Sequence, residues 1–318
     1  MKIFRHYDDV PEACRGAVVP IGNFDGVHLG HQALIAHAKA LAKARGAPVG
    51  VLAFEPHPQE FFRPNAECFR LTPFRTKARL LAERGVDAMY ALPFDAAMAG
   101  KTAEEFVREV LVEGLGVRCV VVGADFCFGK GRKGNAILLA ELGRACGFDV
   151  EIFETVIAHD AQKVSSSEIR TALKAGRPAE AATLLGHWWT VESRVEHGDA
   201  RGRTLGFPTA NMHMVDYLLP SFGIYAVRAT ITENEKPVGV RGGVANLGIR
   251  PMFETKIPLL ETFLFDFDGD LYGKHLAIEL IAYIRPEMKF DSLDALIARM
   301  HEDAAEARAA LDRAEVGC

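Results

Sequence analysis

Between Ala17 and Val156 the chain alternates short apolar runs with helical patterns, and that rhythm leaves few folds open. It predicts strands at Ala17–Ile21, Val49–Phe54, Ala88–Leu92, Cys119–Gly123 and Val150–Phe153. Helical patterns fall between them at Gln32–Arg45, Phe74–Arg84, Thr102–Leu115 and Asn135–Cys146. Apolar strands that alternate with helices form a parallel sheet covered on both faces. Ligands of such a sheet bind beyond the carboxyl ends of its strands. The chemically distinctive segments Gly22–His31, Glu55–Pro58, Gly123–Gly134 and Ser165–Arg170 all fall at such positions. No G-x-G-x-x-G follows the first strand, so a standard dinucleotide site is not expected.

After Gly186 the pattern changes. Apolar or alternating runs at Trp188–Val195, Ile224–Ile231, Val238–Ala245, Leu259–Phe267 and Leu276–Ile284 are separated by Gly-, Asp- and Asn-rich turns. This predicts an antiparallel barrel. A terminal helix follows Ser292, a fitting N-cap, and Leu293, Leu296, Ile297, Met300 and Leu311 mark an apolar face that packs on the barrel. The fold class is therefore α/β: an N-terminal Rossmann-like parallel sheet at residues 1–184, then a C-terminal antiparallel β-barrel with a terminal helix at residues 185–318.

Composition excludes several classes. A formal charge of −5 argues against general nucleic-acid binding. No apolar run approaches the ~20 residues of a membrane span, and the first residues lack a signal-peptide core. The six cysteines form no C-x-x-C pair or regular framework, which fits free thiols in a reducing cytoplasm. Small molecules are the expected partners, and a homo-oligomer is left open.

The run Gly22-Asn23-Phe24-Asp25-Gly26-Val27-His28-Leu29-Gly30-His31 links the first strand to the first helix. Unpaired N–H groups and the dipole make a helix N-terminus attractive to phosphate. Two imidazoles there can donate to phosphate oxygens, and Gly30 leaves room between them. This pattern suits nucleotidyl transfer without a covalent intermediate. As a zinc site it is only half complete, since His57 is the one other candidate nearby.

Ser165 and Glu168 fit a capping box, while Ser166, Ser167 and Arg170 add hydroxyls and a cation for a leaving pyrophosphate. The loop Gly123–Gly134 is not a P-loop: the spacing is one residue too long, and Gly131 follows Lys130. Its aromatics suit a planar ring or the core, and its cations suit an anionic substrate or solvent. In Gly198–Asn211, glycines and arginines, including Gly202 and Arg203, can fold over a polyphosphate. Thr209 and Asn211, two apart in extended chain, offer oxygens on one side for a phosphate-bound Mg²⁺. Glu261 alternates with Phe263, Phe265 and Phe267, where a lone carboxylate serves as a general base or a strand-end ion pair.

Taken in order, G-N-F-D-G-V-H-L-G-H, E-P-H-P, D-F-C-F-G and S-S-S-E-I-R resemble the adenylyltransferase module of prokaryotic FAD synthetases. G-D-A-R-G-R-T-L-G-F-P-T-A-N, G-V-A-N-L-G-I-R-P, L-E-T-F-L-F-D-F-D-G-D-L-Y-G and R-P-E-M-K-F-D-S-L resemble their riboflavin kinase module. The resemblance spans the whole chain and implies a bifunctional enzyme: riboflavin and ATP give FMN, then FMN and ATP give FAD and pyrophosphate. It assigns His28 and His31 to the ATP phosphates with Gly22 and Asn23 nearby, Ser166, Ser167 and Arg170 to the β- and γ-phosphates, and Asp125 and Phe128 to the flavin. It further assigns Gly202, Arg203, Thr209 and Asn211 to Mg-ATP and Glu261 to the base. Cys127 stands where the family usually has arginine, Ser167 where it has threonine, and Phe263 where it has histidine. The competing readings are a lone nucleotidyltransferase with a structural tail and a non-catalytic flavin-binding regulator.

Overall fold

The computed structural model describes residues 1–8, 10–154, 164–197, 206–233, 236–249 and 258–316. Two compact units emerge: Met1–Glu67 with Thr72–Ser165, and Cys68–Leu71 with Ser166–Cys318.

In the first unit the strands are β1 (Lys2–Phe4), β2 (Val18–Pro20), β3 (Gly50–Glu55), β4 (Ala88–Pro93), β5 (Cys119–Gly123), β6 (Cys127–Phe128), β7 (Gly134–Asn135) and β8 (Asp149–Phe153). Parallel pairing gives β1-β4-β3 and β2-β5-β8. Parallel bridges Val18–Val49 and Ile21–Leu52 join β2 to β3. The order is thus β1-β4-β3-β2-β5-β8, and β6 and β7 form a separate short hairpin. The chain leaves β2 toward β3 and β4, then returns to its other side at β5, so the order reverses beside β2. That reversal opens a crevice at the strand's carboxyl end.

Alternate residues of the buried strands feed two cores. Val19, Val120 and Val122 join one cluster, and Val18, Cys119 and Val121 join the other. This two-sided burial explains why β2 and β5 read as continuous apolar runs. Helices α1 (Leu29–Arg45), α2 (Phe74–Glu83) and α3 (Ala136–Cys146) fall where periodicity placed them. α1 stops at Gly46, whose φ of 58° is left-handed.

The unit also differs from the sequence reading. The expected helix at 102–115 is a capped turn at Ala103–Glu105 that continues as a π-helix, Phe106–Gly114. Its buried Phe106, Val107, Val110 and Leu111 do not distinguish i+4 from i+5 bonding over so short a stretch. Strand β1 was missed because three residues are too few to show a period.

The second unit contains α4 (Ser166–Lys174), α5 (Pro178–Leu185), β9 (Thr190–Arg194), β10 (Ala210–His213), β11 (Gly223–Glu233), β12 (Lys236–Ile249), β13 (Pro258–Leu264), β14 (His275–Arg285) and α6 (Leu293–Val316). The antiparallel order is β10-β13-β12-β11-β14-β9. A bridge from Glu196 to Asn211 links the outer two strands, so the sheet nearly closes into a barrel. Ser292 accepts a hydrogen bond from the Ala295 N–H at 3.1 Å and caps α6.

The packing face of α6 begins later than expected. Ala307, Ala310 and Leu311 bury against Ala226, Phe265 and Ile281, while Leu293 is 57% exposed. No described helix is long and apolar enough to cross a membrane.

Candidate active sites

In the first unit, Ile21 and Gly22 remain tied to the sheet through the Val121 and Leu52 carbonyls. The loop that follows is sharply folded. Phe24 and Val27, both fully buried, have φ values of 51° and 42°, in the region L-residues avoid. A buried latch holds it: the Thr72 N–H donates to Asp25 Oδ1 at 2.9 Å, and the Gly26 N–H donates to Thr72 Oγ1 at 2.9 Å. Neither Asp25 nor Thr72 was singled out in sequence, since the contact spans 46 or 47 positions.

The loop delivers His28 to the N-cap of α1, where its Nδ1 accepts the His31 N–H at 3.3 Å. The two imidazoles stack with centroids 3.7 Å apart. Gly30 permits this, because a Cβ there would lie 3.1 Å from the His28 ring. His31 Nδ1 is buried without a hydrogen-bond partner among the described residues. Burial, then the charges of His28 and Lys77, hold the His31 pKa well below the usual imidazole value. His31 is therefore neutral near pH 7. Lys77 is buried with Glu55 in an ion pair of 2.8 Å at the end of β3. Asn23 is exposed beside the loop, and His57 caps its own short helix by accepting the Gln59 N–H at 3.1 Å.

A run of aromatic side chains reaches the strand ends of this unit. Phe62, 66% exposed, contacts Phe61 and Phe94; Phe94 contacts Phe54, which leads through Phe106 to Phe128. Phe128 itself belongs to the core, whereas Asp125 and Cys127 are exposed. The surface ring is Phe62. Its helix of five residues carried no pattern that sequence could read.

In the second unit, α4 carries Ser166, Ser167 and Arg170 in its first turns. Arg170 Nε donates to the Phe69 carbonyl at 2.8 Å, and its guanidinium lies 5.1 Å from the Phe69 ring centroid. Gly202 and Arg203 lie outside the described residues.

The barrel carries two cavities that share one wall. The larger, about 770 Å³, is lined by Thr209, Asn211, Thr262, Asp268, Asp270 and Tyr272 among others. The smaller, about 440 Å³, holds Glu261 among Thr209, Phe263, Phe290, Leu296 and Met300. Thr262 and Glu261 are consecutive on β13 and so face opposite sides of the sheet. Thr209, just before β10, lines both cavities. Leu296 and Met300, expected to pack on the barrel, instead wall the Glu261 cavity. Phe267 lines the larger cavity because β13 ends at Leu264 and the chain turns at Asp266, whose φ is 52°.

The floor of the Glu261 cavity is braced by ions. Arg285 Nε and Nη2 donate to the two carboxylate oxygens of Asp303 at 2.8 and 2.6 Å, and Arg299 Nε adds a bond at 2.9 Å. Asp303 is 3% exposed, so this bidentate pair ties α6 to the end of β14.

The fold and its sites are those of a two-module transferase: a histidine pair where the strand order of a parallel sheet reverses, and a barrel with a carboxylate-bearing cavity beside a polar one. A family model described as FAD synthetase matches residues 10–168, and one described as riboflavin kinase matches residues 185–311. A bifunctional riboflavin kinase/FMN adenylyltransferase of Escherichia coli strain K12 is 41% identical over 309 residues, 97% of each chain. That of Pseudomonas fluorescens is 40% identical over 310 residues, again 97% of each. A solved Streptococcus pneumoniae structure, described as a macrolide-efflux protein, is 29% identical with a TM-score of 0.83, covering 95% of this chain and 97% of that one. The chain belongs to the bifunctional riboflavin kinase/FMN adenylyltransferase family.

Proposed function

We propose that the chain phosphorylates riboflavin to FMN in its barrel and adenylylates FMN to FAD in its parallel-sheet module. The carrying observation is Thr209: it stands on the wall of the Glu261 cavity and of the polar cavity bearing Asn211. A phosphoryl donor in one and an acceptor in the other would meet beside it. We assign the adenylyltransferase to residues 1–184 and the kinase to residues 185–318.

In the kinase step, Glu261 takes the proton of the terminal hydroxyl of riboflavin. The freed oxygen attacks the γ-phosphorus of ATP, and ADP departs. The aromatic and methionine side chains around Glu261 take the flavin ring, while Thr209 and Asn211 hold the nucleotide. The hydroxyl of Thr209, the carboxamide of Asn211 and the carboxylates of Asp268 and Asp270 are oxygen donors of the kind Mg²⁺ prefers. Bound there, Mg²⁺ would offset charge on the transferring phosphoryl group.

In the adenylyl step, a phosphate oxygen of FMN attacks the α-phosphorus of ATP and pyrophosphate leaves. His28 and His31 stabilise the charge on the α-phosphate, which needs preorganised donors rather than a nucleophile. Ser166, Ser167 and Arg170 are assigned to the β- and γ-phosphates through their motif. Asp125 and Phe128 are assigned to the flavin side, with exposed Phe62 offering a surface for the ring. A cytoplasmic location goes with this reading, since both steps consume ATP.

Incubation of the purified protein with riboflavin, ATP and Mg²⁺, followed by chromatography of the flavins, tests the reading. FMN and FAD are expected. Turnover of neither riboflavin nor FMN would overturn it.

A further inference from the structure

The strand register places a second polar side chain beside Glu261. Asn246 on β12 lies directly opposite Glu261 on β13. The same row continues through Ile224 on β11 to Arg285 on β14. Directly opposed residues of antiparallel strands share a face, with Cβ atoms about 4.5–5.5 Å apart. Asn246 and Glu261 accordingly line the same cavity.

Asn246 differs from the other polar member of that row on this cavity's wall. Arg285 is committed to Asp303 and to the Pro286 carbonyl. Asn246 Oδ1, by contrast, is buried and accepts no hydrogen bond among the described residues. Native proteins rarely bury an acceptor unpaired, and one on a cavity wall points to a ligand donor. The surrounding wall of Val244, Phe263, Met288 and Phe290 is apolar and suits a flat ring rather than a donor.

We propose that Asn246 is a substrate-orienting and specificity-determining residue of the kinase. Its carboxamide oxygen accepts a hydrogen bond from a hydroxyl of the riboflavin polyol chain other than the reacting one, and so presents the terminal hydroxyl to Glu261. This rests on the kinase reading above. The ring supplies apolar contact that any flavin could make. Asn246 distinguishes flavins that carry the polyol chain from those that lack it.

The test compares riboflavin with lumiflavin, which has the same ring and no polyol chain. Binding of each to the wild type, Asn246→Ala and Asn246→Asp is followed by fluorescence quenching, and KM for riboflavin and for ATP is measured separately. Asn246→Ala should weaken riboflavin about tenfold, the scale of one lost hydrogen bond, while lumiflavin affinity and the KM for ATP stay unchanged. Asn246→Asp retains an acceptor oxygen and should restore the preference for riboflavin. Unchanged lumiflavin affinity and an unchanged KM for ATP in each variant verify that the barrel is folded. Equal weakening of both flavins, unchanged riboflavin affinity, or failure of the aspartate to restore the preference would each overturn the assignment. A wild type that binds lumiflavin but phosphorylates no riboflavin would instead refute the kinase reading on which it rests.

Discussion

The rings of His28 and His31 stack 3.7 Å apart and 19° from parallel, and the first caps the helix that carries the second. Two cationic imidazoles would repel at that distance, so the arrangement needs at least one neutral ring. Burial supplies it at His31. The loop that leads into the stack is tied by the Asp25–Thr72 and Gly26–Thr72 hydrogen bonds.

Replacing both histidines with alanine should abolish FAD synthesis from FMN and leave FMN synthesis from riboflavin intact. The histidines lie in the first compact unit, while Glu261 lies in the second. Chromatography of products from each substrate supplied alone decides this, and loss of both activities in a folded variant would contradict it.

His31 also links stability to pH. Its folded pKa is depressed below the unfolded value of about 6.5. As pH falls through that value the unfolded chain takes up a proton that the folded chain refuses, so stability is lost on acidification. The loss approaches about 1.4 kcal/mol per pH unit. Urea unfolding between pH 5 and 7.5 should show a shallower dependence for His31→Gln than for the wild type; parallel curves would remove the histidine from this account.

Glu261→Gln keeps the shape of the side chain and removes its capacity to accept the substrate proton. Riboflavin kinase turnover should fall on the order of 100- to 10,000-fold, with little change in ATP or riboflavin binding. FAD formation from supplied FMN should continue. Near-normal kinase turnover would leave Glu261 as a structural carboxylate.

Cys127 is exposed, and its thiol does no more than donate weakly to the Asp125 carbonyl at 3.6 Å. Cys127→Arg therefore meets no packing obstacle and adds a cation to a loop with Lys130, Arg132 and Lys133. FAD synthesis should be preserved or improved. A steady-state assay showing its destruction without unfolding would refute the alignment of that loop with the family pattern.

Asp303→Ala should destabilise the barrel unit by about 3–5 kcal/mol, because it strands the mostly buried guanidinium of Arg285. Arg285 and Asp303 both wall the Glu261 cavity, so the riboflavin KM should rise as well. Thermal unfolding and kinase kinetics read the two effects; unchanged stability would show that the pair contributes nothing net.

Much of this protein was legible along the chain because its signals are local. Apolar runs, helical periods and the loop Gly22–His31 depend on neighbours a few residues apart, and they located the parallel sheet, the barrel and the paired His28 and His31. Glu261 stood out for a similar reason, a carboxylate alternating with aromatics. Tertiary structure decided the rest. Thr72 reaches Asp25 across 47 positions, Asp303 reaches Arg285 from another element, and Asn246 meets Glu261 through strand register. Leu296 and Met300 carry the same helical signal as core residues, yet they wall a cavity. Periodicity reports which face of an element is apolar; only the packing of distant segments determines whether that face meets a core or a space left for substrate.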